Sequence, residues 1–418
     1  MSDERPKLTR GLVQSLSEVE DKEQSVPVIV RYSSLPRVMR HAEPTPGVRR
    51  TYDYHLRPFA AMHATPDAIR QLEADPEVVR IYEDRKVYAF LDTAISIVQV
   101  PRLWQEGLTG ANVRIAIVDT GIDPEHPDFA GRIAAMTDLT GEGPVDGNGH
   151  GTHCAGIAAG SGAASDGKYR GAAPGATLYT AKVLRSNGEG QMSDVMAGIE
   201  WAVDQGVQII SLSLGSAGSS DGTDALSEMC DAAVEQGIMV CVAAGNEGPA
   251  PYTIGSPAAS RRALTVGAST DTDQVASFSS HGPTADGRLK PDIVCPGVDI
   301  IAPRAKGTSM GTVINEYYTK ASGTSMATPL AAGICALLLQ AEPNLTPLEI
   351  KARLIGTAVD LGANPYAQGK GRVDAWQARH TEVEPEPTPE PEPTPPPSPS
   401  PGQGCLTALF SLLFWRSP

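Results

Sequence analysis

The stretch VRIAIVDTGID, residues 113–123, decides how the rest of the chain is read. Its first six residues are apolar except Arg114, and it ends on Asp119 before a glycine-containing turn. A near-continuous apolar run of this length is what a parallel strand buried on both faces needs. Four more runs of the same kind follow: ATLYTAKVL (176–184), VQIISLSL (207–214), IMVCVAA (238–244) and RALTVGA (262–268). Helical stretches lie among them: HGTHCAGIAAG (150–160), SDVMAGIEWAVDQG (193–206), residues 224–236 and SMATPLAAGICALLLQA (325–341). The alternation predicts an α/β fold, a mostly parallel sheet flanked by helices in three layers. In such folds the site lies beyond the carboxyl ends of the strands.

Outward from this core the chain divides into five parts. Residues 1–25 carry the acidic run SEVEDKE and read as a flexible segment. Residues 26–92 read as a small α+β unit: VPVIVRY as a strand, TPDAIRQLEAD as a helix capped by Thr65, and EVVRIYEDRKVYAF as a returning strand. Residues 93–380 hold the large domain. Residues 381–404, rich in Pro and Glu, cannot build a core and read as a stiff linker. The tail 405–418, CLTALFSLLFWRSP, is apolar but too short to span a bilayer.

Composition narrows the partners. A formal charge of −15 argues against nucleic acid, whose phosphates need basic patches. The six cysteines form no CxxC pair, and Cys230, Cys241 and Cys335 sit in apolar runs, so most read as buried free thiols. The first thirty residues contain no apolar core of a signal peptide, and no run of about 18 apolar residues occurs.

Three segments carry candidate chemistry. VRIAIVDTGID presents Asp119 at a strand end, DGNGHGTHCAG (146–156) opens a helix with His150, and GTSMATP (323–329) opens another with Ser325. Acyl transfer by serine needs a hydroxyl, an imidazole to take its proton and a buried carboxylate to orient the imidazole. It also needs donors for the oxyanion, which a helix N-terminus supplies. Any one of these residues alone reads as a turn, a structural histidine or a cap. A second GTSM string places Ser309 as a rival, but the chain after it turns polar, whereas an apolar helix follows Ser325. His126 and His153 also lie near these motifs, and His153, one turn from His150, reads as packed in the helix.

These segments resemble the three signature motifs of the subtilisin-like serine proteases, and the likeness extends through SLSLGS, AAGNEG and FSSHGP over about residues 100–378. The resemblance implies a serine endopeptidase of broad specificity that works through an acyl-enzyme without a catalytic cofactor. Asp119 is then the orienting carboxylate, His150 the base and acid, Ser325 the nucleophile, and Asn246 an oxyanion donor. Ser213, Leu214, Gly215 and Gly245 would bind an extended polypeptide substrate, and Glu247 would sit at the pocket mouth. Asp128, in HPDF, matches a calcium ligand of the family, with SGAASDGKYRG (161–171) as the partner loop. Leu330 departs from the family, which often has histidine there, with no consequence for the triad. Cys154 resembles a free cysteine of some members, either thiol-sensitive or inert.

Residues 26–92 resemble the family's propeptide, which implies an intramolecular inhibitor cleaved off between about residues 88 and 98. We expect a monomer that is extracellular or at the cell surface, with a cytoplasmic setting as the alternative. The tail with Cys405 offers attachment to a membrane or surface. Two competing readings are a silent peptide-binding scaffold and a tail-tethered surface protein.

Overall fold

The structure, a computed structural model, describes residues 7, 8, 12, 13, 16, 24–33, 46–53, 59–83 and 93–383. Most of 1–25, the linker beyond residue 383, the tail and residues 88–92 of the expected cleavage region lie outside the described residues. The chain forms two compact units, Met1–Phe90 and Leu91–Pro418.

In the first unit, strands β1 (Val26–Tyr32), β2 (Val48–Asp53), β3 (Phe59–Ala64) and β4 (Val78–Glu83) form one antiparallel sheet in the order β2-β3-β1-β4. Helix α1 (Pro66–Ala74) packs its buried Ala68, Ile69 and Leu72 into a cluster with Val28, Val30 and Ile81. Thr65 caps it, accepting from the Ala68 amide at 3.4 Å. The sequence reading finds β1, α1 and β4 but not β2 or β3. VRRTYD has no two-residue alternation, and FAAMHA is rich in alanine, a poor strand former.

The second unit opens with α2 (Thr93–Ile97) and α3 (Val100–Gln105) and is built on seven parallel strands. These are β5 (Arg114–Asp119), β6 (Ile133–Asp138), β7 (Thr177–Lys182), β8 (Ile209–Leu212), β9 (Met239–Ala243), β10 (Leu264–Ser269) and β11 (Ile293–Pro296). Their order is β11-β10-β9-β8-β5-β7-β6. Alternate side chains feed two cores. Ile115, Ile117 and Cys241 face the cluster that contains helices α4 (His150–Ala159) and α7 (Thr324–Ala341). Ala116, Val118, Val240 and Val242 face the cluster of α5 (Met192–Asp204) and α6 (Ala225–Glu235). The three-layer α/β reading therefore holds.

Strand order reverses at β5, with β7 and β6 on one side and β8 to β11 on the other. The carboxyl ends of β5, β8 and β9 thus open side by side, which is where such folds place a site. A three-stranded antiparallel meander follows: β12 (Ile300–Pro303), β13 (Thr312–Val313) and β14 (Tyr318–Ala321), in the order β12-β14-β13. It leads directly into α7, an 18-residue helix of mean hydropathy 1.4 that is 83% buried and so forms the spine of the core. Helices α8 (Pro347–Gly356), α9 (Pro365–Gln368) and α10 (Ala375–His380) close the domain.

Candidate active site

Asp119 is the last residue of β5 and is 1% exposed. Its Oδ1 accepts from the Thr120 amide at 2.7 Å and from His150 Nδ1 at 2.7 Å. His150 opens α4, whose cap, Gly149, has φ of +107°, a conformation that suits glycine. The next residue, Gly151, lies where a Cβ would come within 2.2 Å of the Gly121 carbonyl. The glycines of the two motifs therefore allow β5 and α4 to approach closely enough for the carboxylate to reach the imidazole. Asp146 fixes the same junction, accepting from Thr120 Oγ1, the amides of Asn148, Gly149 and Thr152, and Thr152 Oγ1. Burial works against the imidazolium of His150, yet the Asp119 carboxylate overrides it, and the pKa stands well above the ordinary histidine value.

Ser325 lies in the first turn of α7. Its Oγ donates to the Ser213 carbonyl at 3.1 Å, and its own carbonyl accepts from Ser213 Oγ at 2.9 Å and Cys154 Sγ at 3.3 Å. Cys154 Sγ is also 3.9 Å from His150 Nδ1, so one buried thiol touches both the histidine and the serine segment. Burial pushes that thiol's pKa up and keeps it protonated. Asn246 follows β9. Its Oδ1 accepts from the Thr324 amide at 2.9 Å and Thr324 Oγ1 at 3.1 Å. With the oxygen so held, the amide nitrogen lies on the Gly323 side, at the start of α7.

Two adjoining pockets share Ser213, Leu214, Gly215 and Ser216. One, of ≈ 280 Å³, is lined by Gly245, Asn246, Glu247 and Ser325 as well. Its walls are small by necessity: a Cβ on Gly255 would lie 2.1 Å from the Ser216 carbonyl. Glu247 stands at its edge, accepting from the Gly218 amide at 3.0 Å. The other, of ≈ 480 Å³, is lined by His150 and by Leu184, Met192, Val195 and Leu226. The sequence reading misses this second set of walls. The glycine-rich NGEGQM before α5 is the signal that could have drawn attention to it.

The remaining candidates sort cleanly. Ser309 is exposed on the loop between β12 and β13. His126 is buried, with Nε2 donating to the Tyr317 carbonyl at 2.8 Å and Nδ1 accepting from the Asp128 amide at 3.2 Å. His153 is buried, with Nε2 at 3.2 Å from the carbonyls of Ile300 and Thr319. Among the described residues, the single group of three or more side chains able to hold a metal is Asp119, His150 and Cys154.

The Asp128 carboxylate is fully buried. Its Oδ1 accepts from the Ala164 amide at 3.0 Å, and the Tyr318 hydroxyl lies 3.0 Å from both of its oxygens. Calcium asks for a shell of six to eight oxygen acceptors, whereas Asp128 faces donors. The residues at Asp128 do not fit a calcium ion.

Comparison with known proteins agrees with this geometry. The sequence pattern of the subtilase family matches residues 110–372, and that of peptidase inhibitor I9 matches residues 11–90. Serine protease AprX of Bacillus subtilis is 44% identical over 340 residues, covering 74% of this chain and 76% of that protein. Subtilisin E of the same organism is 38% identical over 325 residues, covering 76% and 80%. Subtilisin of Bacillus pumilus is 39% identical over 287 residues, covering 68% and 97%. The chain belongs to the subtilase family: it is a subtilisin-like serine protease preceded by an inhibitor domain.

Proposed function

We propose that Asp119, His150 and Ser325 are the catalytic triad of this protease, with Asn246 and the Ser325 amide as oxyanion donors. The observation that carries the assignment is the 2.7 Å bond from His150 Nδ1 to the buried Asp119 carboxylate, which leaves Nε2 for the cleft. A peptide lies extended along Ser213–Gly215 and pairs through its main chain, which accepts many sequences. Its P1 side chain enters the pocket beside Gly245. Ser325 Oγ turns from the Ser213 carbonyl toward Nε2, gives up its proton and attacks the peptide carbonyl. The resulting oxyanion takes donors from the Asn246 amide and the N-terminus of α7. His150 then protonates the leaving amine, and water hydrolyses the acyl-enzyme by the same route.

The inhibitor domain blocks the enzyme until the precursor cuts itself, within about residues 88–98. Calcium is typical of the family; in this chain it would sit away from Asp128. Action outside the cell or at its surface is part of the same reading, favoured by the inhibitor domain, and cell fractionation tests it.

The decisive experiment compares the full chain with Ser325→Ala, by intact mass and by a fluorophosphonate probe. Wild type is expected to lose about ninety residues and to carry the probe on Ser325, while the variant does neither. An unlabelled wild type that stays full length would favour a silent peptide-binding scaffold. Label on Ser309 would assign the nucleophile to the other GTSM string.

A further inference from the structure

The donors around Asp128 belong to a larger arrangement. Arg132, four residues on, donates from Nη1 to the Ala159 carbonyl at 2.6 Å and the Ala176 carbonyl at 3.2 Å. Its Nη2 donates to the carbonyl of Asp128 itself. One guanidinium therefore gathers carbonyls from the 127–129 turn, the end of α4 and the start of β7, close to a buried carboxylate. Three carbonyls and a carboxylate are the ligand types a hard cation seeks; here the chain's own cation takes the three carbonyls, and the Tyr318 hydroxyl and the Ala164 amide take the carboxylate.

The segment after α4 is closed by the same residues. Tyr318 is fully buried on β14, with its hydroxyl 3.0 Å from both Asp128 oxygens and 3.0 Å from Ser165 Oγ. Tyr169, in the same segment, packs its ring 4.7 Å from that of Tyr318. The loop's carbonyls are also spent internally. Gly162 O accepts from the amides of Ser165 and Gly167, and Gly160 O accepts from Gly171. The Ser161 amide donates to the Asp128 carbonyl.

We infer that Arg132 and Tyr318 take the place of a calcium ion at Asp128, so that the loop 160–171 is ordered without metal. A charged, multiply bonded guanidinium is tethered to the chain and cannot be chelated away. The loop's order is then a property of the sequence rather than of the medium.

The test is amide hydrogen exchange of residues 160–171, read by mass spectrometry in the full chain carrying Ser325→Ala to prevent self-digestion. Exchange is followed in millimolar calcium and in excess chelator. Without further substitution the two rates are expected to agree. Tyr318→Phe removes a hydroxyl from a buried carboxylate and should speed exchange of the loop about tenfold or more in both media. Arg132→Met should do the same. Slower exchange of this loop in calcium than in chelator, without Tyr318 or Arg132 replaced, would overturn the inference. Unchanged exchange in Tyr318→Phe would overturn it as well. If Arg132→Met does not fold, Tyr318→Phe and the comparison of the two media still decide.

Discussion

At Asp119 a buried carboxylate commits one oxygen to the Thr120 amide and to a single imidazole nitrogen. In the proposed mechanism the neighbouring nitrogen does the chemistry, and the carboxylate's value lies in selecting the tautomer. Asp119→Asn should therefore lower kcat by about 10⁴ while leaving the fold intact, with circular dichroism as the control. The pH profile gives an independent readout. As the proposed base His150 must be neutral, and its pKa is raised, so activity should be lost on the acid side with a midpoint above the ordinary value for histidine. In Asp119→Asn the cause that raises the pKa is gone and burial remains. The residual acid limb should move to lower pH, and an unmoved limb would remove Asp119 from this role. The residue scale is also where the sequence was most readable. Asp119, His150, Ser325 and Asn246 each end or follow a strand or open a helix, and each lies in a short motif. The tie between Asn246 and Thr324 was not legible, because it joins segments 78 residues apart.

Helix α4 shows how an element serves the site from its buried side. His153, one turn past His150, lies between the helix and the meander and donates toward the carbonyls of Ile300 and Thr319. Burial, helped by the charge of His150, lowers its pKa to about 4. Between the ordinary value and about 4 the unfolded chain binds a proton that the native one refuses, so stability falls as pH falls. The loss should reach on the order of 3 kcal/mol, and His153→Gln, which keeps the donor without the titration, should flatten that part of the stability curve. Denaturant titrations at several pH values measure it. Gly156 on the same helix makes a second prediction. A Cβ there would lie 2.1 Å from Pro303 Cδ, so Gly156→Ala should destabilise by about 1–3 kcal/mol by pushing the meander away. The sequence announces α4 and the strands β5, β7, β8, β9 and β10 but not β6, β11 or the meander. IAAMTD in β6 mixes polar and small residues, and β12 to β14 are four residues long or fewer. Their strand character comes from neighbours rather than from local pattern.

The whole molecule is a parallel sheet whose neighbours are distant in sequence, preceded by a unit with a core of its own. Parallel pairing requires closing long loops before any contact rewards them, which makes such folds slow. A chain lacking residues 1–90 should refold roughly tenfold slower or more than the precursor, measured by recovery of fluorophosphonate labelling. Equal rates would leave the first unit with inhibition alone. The placement of the proposed triad along the chain has a consequence in time. Asp119 and His150 are available early, but Ser325 arrives on α7, after all seven parallel strands and the meander have been made. That helix is also the spine of the core, so it cannot dock until the strands around it are paired. If Ser325 is the nucleophile, as proposed, the protein carries no working blade during synthesis: the cutting group is delivered by the same step that completes the fold.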